Sequence, residues 1–239
     1  MKNAKVLGAL ILSLVVVSVV LDFCQEYVFS RLVKSVIAPA FLLLYWLTVT
    51  PKNKYFTWFL ILFSIPEITS FTELFIETNA DMYLYYTFGN ILYILAYIVL
   101  FYGVCRDLNF SKILKSYKPH LIVLILLNLY IMYVLLTIVQ PKFPELHMLL
   151  IEVIYNIVML LLLTASLLLY FSKDNKKALF LFFGSLCIVF SEVLQIAYFY
   201  ISERDGFNIV SIILFSMAFC FYYFYAKTKN EDTFKLLVE

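Results

Sequence analysis

The chain has 239 residues, of which 64% are hydrophobic and only 14% charged. A soluble globular domain carries about 25% charged residues, so this composition excludes one and makes the bilayer the solvent. The net charge of +2 gives no case for nucleic-acid binding.

In chain order, continuous apolar runs occupy residues 6–21, 32–49, 55–75, 83–104, 120–139, 147–171, 178–201 and 207–226. Each is near the ~20 residues that a helix needs to cross the hydrocarbon core. The runs are Leu-rich, without the alternation of a β-barrel strand. The expectation is an all-α integral membrane protein: a bundle of eight transmembrane helices forming one polytopic domain over residues 1–239. The first run follows Lys2 and Lys5 but no small-residue cleavage site follows it, so it reads as a span and not as a signal peptide. Four cysteines scattered along the chain imply no disulfide framework.

Basic residues in short loops stay on the cytoplasmic side. With the N-terminus inside, 14 of the 18 Lys and Arg residues fall in inner segments, and only Arg31, Lys142 and Arg204 fall outside. Both termini are therefore expected in the cytoplasm. The remaining cation, Lys34, lies within the second span.

Three carboxylates, Glu67, Glu152 and Glu192, also lie within spans, where an uncompensated charge is costly and commonly functional. On the expected topology these acids and Lys34 all occupy the outer half or the middle of the bilayer, which points to a shared pocket opening outward. Pro66 should loosen the helix beside Glu67. Glu152 has Tyr155 and Asn156 at i+3 and i+4, and Glu192 follows Ser191 and has Gln195 at i+3, on faces where hydrogen bonds can form. The fourth span carries a stripe of Tyr83, Tyr86, Asn90, Tyr93 and Tyr97. Tyr83 and Tyr86 read as interfacial aromatics, whereas Asn90 and Tyr93 are too deep for that account. Two readings stand for Lys34, a pocket cation or a side chain snorkelling to the outer headgroups. Asn90 is either a pocket residue or a helix-packing hydrogen bond. Glu73, Glu77 and Asp81 read as a solvated outer loop. His120 and His147 fall at opposite membrane faces, so no metal site and no cofactor is expected.

In order and spacing the chain resembles the YhhN-like lysoplasmalogenase family of eight-helix membrane proteins. The resemblance is carried by Lys34-Ser35 with Pro39 after it, Pro66-Glu67, Phe88-Gly89, Tyr155-Asn156-Ile157-Val158-Met159, and Gly184 followed by Ser191-Glu192. The family has Asp where this chain has Glu67 and Glu192, and a His after the Phe-Gly pair that is absent here. The resemblance implies hydrolysis of the vinyl ether bond of a lysophospholipid in a bacterial plasma membrane, with Glu67 and Glu192 as the acid/base pair. It leaves Lys34 to hold the phosphate and Asn90, Tyr93, Glu152, Tyr155 and Asn156 to line the pocket. The competing expectation is a non-enzymatic lipid-binding or proton-coupled transport protein using the same acids; paired broken helices would favour it. No Lys lies in the middle of the last two spans, which argues against a retinal Schiff base.

Overall fold

The computed structural model describes residues 2–76, 78–108, 113, 115, 117–142, 145–201 and 205–228. The expected inner residues Lys112, Lys229 and Lys235 and the expected outer residues Glu77 and Arg204 lie outside them, as do the side chains of Glu73 and Lys142. Within these residues the chain forms α1 (Lys2–Phe23), α2 (Tyr27–Ser35), α3 (Ile37–Thr48), α4 (Lys54–Thr69), a 3-10 segment (Ser70–Phe75), α5 (Asn79–Arg106), α6 (Lys118–Val139), α7 (Leu146–Lys173), α8 (Lys176–Tyr200) and α9 (Asp205–Lys227).

Seven stretches among the described residues are long and apolar enough to cross a membrane, with α2 and α3 together making one of them. This is the architecture of a multi-pass helical membrane protein. The expected third span is α4, only 16 residues long, continued by the 3-10 segment.

The second span departs most from expectation. It begins at Tyr27 and is interrupted at Val36, between α2 and α3. Pro39 has no N–H to offer the Ser35 carbonyl one turn back, and its ring crowds that carbonyl, so the helix stops and restarts. Arg31, expected in an outer segment, is therefore helical. Asp81, expected in a loop, sits in the first turn of α5, where its carboxylate accepts a 2.5 Å hydrogen bond from the N-cap Thr78.

Helices α4, α5, α7, α8 and α9 pack in succession around a ring that α1 and α3 close, with α6 outside it against α7 and α8. Lipid tails are as apolar as Leu, so helices associate in a bilayer through close packing and hydrogen bonds. Two reciprocal serine clasps supply the latter. Ser18 and Ser30 each donate to the other's carbonyl across α1 and α2, at 3.0 and 2.9 Å. Ser191 and Ser211 do the same across α8 and α9, at 2.8 and 3.0 Å. Asn128 donates to Thr164 at 2.7 Å between α6 and α7. The core is aromatic: Phe59 stacks on Phe219 at 6.3 Å and meets Tyr222 edge-on at 5.3 Å.

Gly184 sets the closest approach of α8 and α9. A methyl group there would lie 2.6 Å from the fully buried Tyr222 ring, which Phe59 holds in place. Ala is the better helix former by about 1 kcal/mol, yet Gly184→Ala should destabilise by about 1–3 kcal/mol through overpacking. The check is the thermal midpoint of purified protein in detergent, with Gly8→Ala as control because nothing lies within 4 Å of that position. The control should hold its midpoint, and an undiminished midpoint for Gly184→Ala would contradict the packing account.

Candidate functional site in one end of the bundle

The interruption of the second span places Lys34 in the last turn of α2, where the unpaired carbonyl ends of a helix favour a cation. Its ammonium donates to Gln195 Oε1 of α8 at 3.1 Å and lies 4.9 Å from the Phe215 ring centroid of α9. The side chain turns into the bundle, so the snorkelling reading fails. The same ammonium interacts electrostatically with both Glu67 and Glu192.

Glu67 is carried by α4 directly after Pro66, which leaves the Leu62 carbonyl without its helical donor. The helix continues past this point, and local hydroxyls seal its end. Thr69 donates to the Pro66 carbonyl at 3.0 Å and Ser70 to the Glu67 carbonyl at 2.7 Å, so the backbone holding the carboxylate is fixed. The buried Glu67 side chain accepts a 3.0 Å hydrogen bond from Tyr93 of α5. Glu192 is carried by α8, with Tyr155 of α7 in its surroundings.

Glu152 is held differently. Tyr86 donates to its Oε2 at 2.9 Å, and Asn156 donates to its Oε1 at 3.3 Å and to its carbonyl at 2.9 Å. Both carboxylate oxygens are thus engaged by neutral donors. Asn90 donates to the Tyr86 carbonyl at 2.8 Å, a bond within α5 and not one between helices.

A cavity of about 600 Å³ gathers these groups. Ligand pockets commonly measure about 300–1,000 Å³. Its walls include Lys34, Glu67, Asn90, Tyr93, Glu152, Tyr155 and Glu192, so seven of the eight residues singled out in the sequence face one space. Asn156 does not line it; this side chain is buried behind Glu152 and acts as its support. The lining draws on the first turns of α5 and α7 and the last turns of α4 and α8, which places the cavity at a single end of the bundle.

Several local expectations are corrected. Tyr86 is no simple interfacial aromatic, since it binds Glu152 and lines the cavity with Tyr83. Gln195 and Ser191 do not serve Glu192; they bond Lys34 and Ser211. Tyr97 closes the stripe from below, buried edge-on against Tyr155 at 5.7 Å.

Two charged residues escaped the sequence reading. Arg31 lines the cavity one turn before Lys34, on the same helical face, a signal visible only if the span starts at Tyr27. Asp22, read as lying beyond the first span, is buried within α1 and accepts a 2.5 Å hydrogen bond from Asn208 of α9. Nothing in the sequence pairs those two residues, which are separated by nearly the whole chain.

Chemically, the cavity combines a cation able to hold an anionic group with two carboxylates on different helices and a third locked by amide and phenol donors. Such a set can bind a zwitterion, or pass a proton between groups positioned around a bound molecule. No family model, curated protein or solved structure matches the chain.

Proposed function

We propose that this protein is a membrane-embedded hydrolase that cleaves the vinyl ether bond of a lysophospholipid, with Glu67 and Glu192 as its acid/base pair. The reading combines the resemblance to the YhhN-like lysoplasmalogenases with one observation: carboxylates from α4 and α8 line a single cavity together with Lys34. Cleavage begins when a carboxylic acid protonates the β-carbon of the vinyl ether. The resulting oxocarbenium ion is stabilised by the neighbouring carboxylate, which then takes a proton from attacking water. The hemiacetal so formed collapses to a fatty aldehyde and the free glycerophosphate alcohol, so one water is consumed and no other reactant is needed. Two carboxyl groups with divided roles meet this demand, as they do in glycosidases. Lys34 holds the substrate phosphate, Tyr93 and Tyr155 orient the two carboxyl groups, and Asn90 and Glu152 shape the wall.

The proposed topology completes the reading. Helix α4 with its 3-10 extension makes an eighth span, both termini lie in the cytoplasm of a bacterial cell, and the cavity faces outward. The opposite end of the bundle supports this orientation. There Lys52 lies 4.8 Å from the Trp46 ring, Lys177 5.4 Å from Tyr225 and Lys227 5.6 Å from Tyr223, the mixture of cations and aromatics found at a cytoplasmic interface. A C-terminal alkaline phosphatase fusion should be inactive and a C-terminal fluorescent fusion bright; the reverse result removes a span.

One observation favours proton-coupled transport instead. Two interrupted helices flank the cavity, α2/α3 at Val36 and α4 where it passes into 3-10 geometry, and discontinuous helices around a charged site characterise many transporters. Amide substitutions separate the readings. Glu67→Gln and Glu192→Gln should each lose aldehyde release from vinyl-ether lysolipid by ~10²-fold or more, with the double variant little worse than either single. Glu152→Gln should keep measurable turnover, because an amide can still meet Tyr86. Near-native turnover in both single variants, or intact substrate accumulating in proteoliposomes without any aldehyde, would end the hydrolase reading.

A further inference from the structure

At the opposite end of the bundle from the cavity, α6 and α7 leave between them a groove of about 270 Å³ lined by Pro119, His120, Val123, Leu124, Leu167 and Phe171. The seam is stitched on both sides of it. At the helix ends Tyr117 donates to the Phe171 carbonyl at 2.8 Å and stacks on the Phe171 ring at 5.8 Å, with His120 edge-on to that ring at 5.6 Å. Deeper in the span, about 15 Å along α6 from Lys118, Asn128 donates to Thr164 at 2.7 Å. Helix α6 lies outside the ring and packs only sparsely on α7 and α8. It is one of the stretches able to cross a membrane, yet Ile122, Val123, Ile125 and Leu126 are exposed on its surface. At membrane depth such a surface is in contact with hydrocarbon. The rim of the groove is basic: Lys115, Lys118 and Lys173 are exposed there. Among the described residues of these helix ends the acids are Asp107, 3.7 Å from Lys173, and Asp174. At that distance the Asp107 contact is longer than a hydrogen bond, and both side chains are well exposed, so it leaves the Lys173 charge largely uncompensated.

We infer that this groove is a binding site for an anionic phospholipid of the surrounding bilayer, a hydrocarbon chain lying along Val123, Leu124 and Leu167 and the headgroup phosphate meeting Lys118 and Lys173. The site is separate from the charged cavity and does not depend on the hydrolase reading. Three features carry it. The order of depth is that of a lipid: the lysines stand at the helix ends, and Val123, Leu124 and Leu167 lie a turn or more farther into the span. The aromatic side chains of Tyr117 and His120 occupy the level between them, where the headgroup region begins. Charge selects the occupant, because basic pockets between membrane helices attract anionic headgroups, whereas a phosphocholine brings its own cation to a rim already rich in them. A chain seated in the seam would also supply the contacts that α6 lacks, fastening this peripheral helix to the ring.

The site is tested with two probes that differ only in headgroup, a phosphatidylglycerol and a phosphatidylcholine, each carrying a diazirine in the upper part of one chain. Each is included as a trace component in phosphatidylcholine nanodiscs holding the purified protein and photolysed, and the adducts are mapped by mass spectrometry. Adducts of the phosphatidylglycerol probe should concentrate on Val123, Leu124 and Leu167 and exceed those of the phosphatidylcholine probe there by about tenfold, the scale of one or two lysines acting on an anionic lipid. Unlabelled phosphatidylglycerol should displace them. Lys118→Gln with Lys173→Gln should bring the anionic probe down to the level of the zwitterionic one. Equal labelling of the groove by both probes, or adducts of the anionic probe spread evenly over the outer faces of α1 and α6, overturns the site. Both of those results are read on the native protein, so they decide the matter even if the lysine pair fails to insert.

Discussion

The ammonium of Lys34, drawn inside a helical membrane bundle, is the constraint around which the rest is arranged. An ion away from water costs several kcal/mol unless opposite charge and hydrogen bonds compensate for it. Here Gln195 accepts from the ammonium at 3.1 Å, the face of Phe215 covers it, and the carboxyl groups of Glu67 and Glu192 line the same cavity. Those partners come from α8, α9 and α4, so compensating one cation draws three helices together around α2. Glu67 is in turn held by Tyr93 of α5, and Tyr155 of α7 lines the cavity beside Glu192. The polar interior is therefore drawn from five helices around one cavity, and loss of Gln195 or Tyr93 leaves Lys34 or Glu67 without its hydrogen-bond partner.

Backbone chemistry decides where that set can be built. Non-helical backbone is tolerated at membrane depth where it borders a cavity. Pro39 breaks the second span just past Lys34, and Pro66 precedes Glu67 at the end of α4. Each proline thus stands near a charged side chain. Elsewhere the bundle is held by features with no ionic character: two serine clasps, the Gly184 contact with Tyr222 and a continuous aromatic core. The same division recurs with Glu152, whose two oxygens are held by Tyr86 and Asn156; a carboxylate so fully engaged is suited to shaping a wall and poorly suited to moving a proton.

Hydropathy located most helices to within a few residues because bilayer thickness imposes a length on each of them. It failed where the chain carries charge inside a span. Arg31 is expected in an outer segment and Asp22 falls just past the first apolar run, yet both are helical. The break at Val36 was likewise invisible in composition, although Pro39 marks its cause. Helical spacing correctly placed Asn156 beside Glu152, a contact within one helix. Contacts between helices could not be read this way: Lys34 with Gln195, Tyr86 with Glu152 and Asn208 with Asp22 join residues 161, 66 and 186 positions apart, and no periodicity encodes such pairs.

If the cavity works by protonating carbon, the reaction must leave solvent hydrogen on the product. Turnover of a vinyl-ether lysolipid in D₂O, with the aldehyde reduced as it forms and analysed by mass spectrometry, tests this step directly. The account predicts one deuterium on the carbon adjacent to the former carbonyl, formed by the native protein and lost together with product in Glu67→Gln and Glu192→Gln. Aldehyde carrying no deuterium at that carbon, or no aldehyde from the native protein at all, would contradict it.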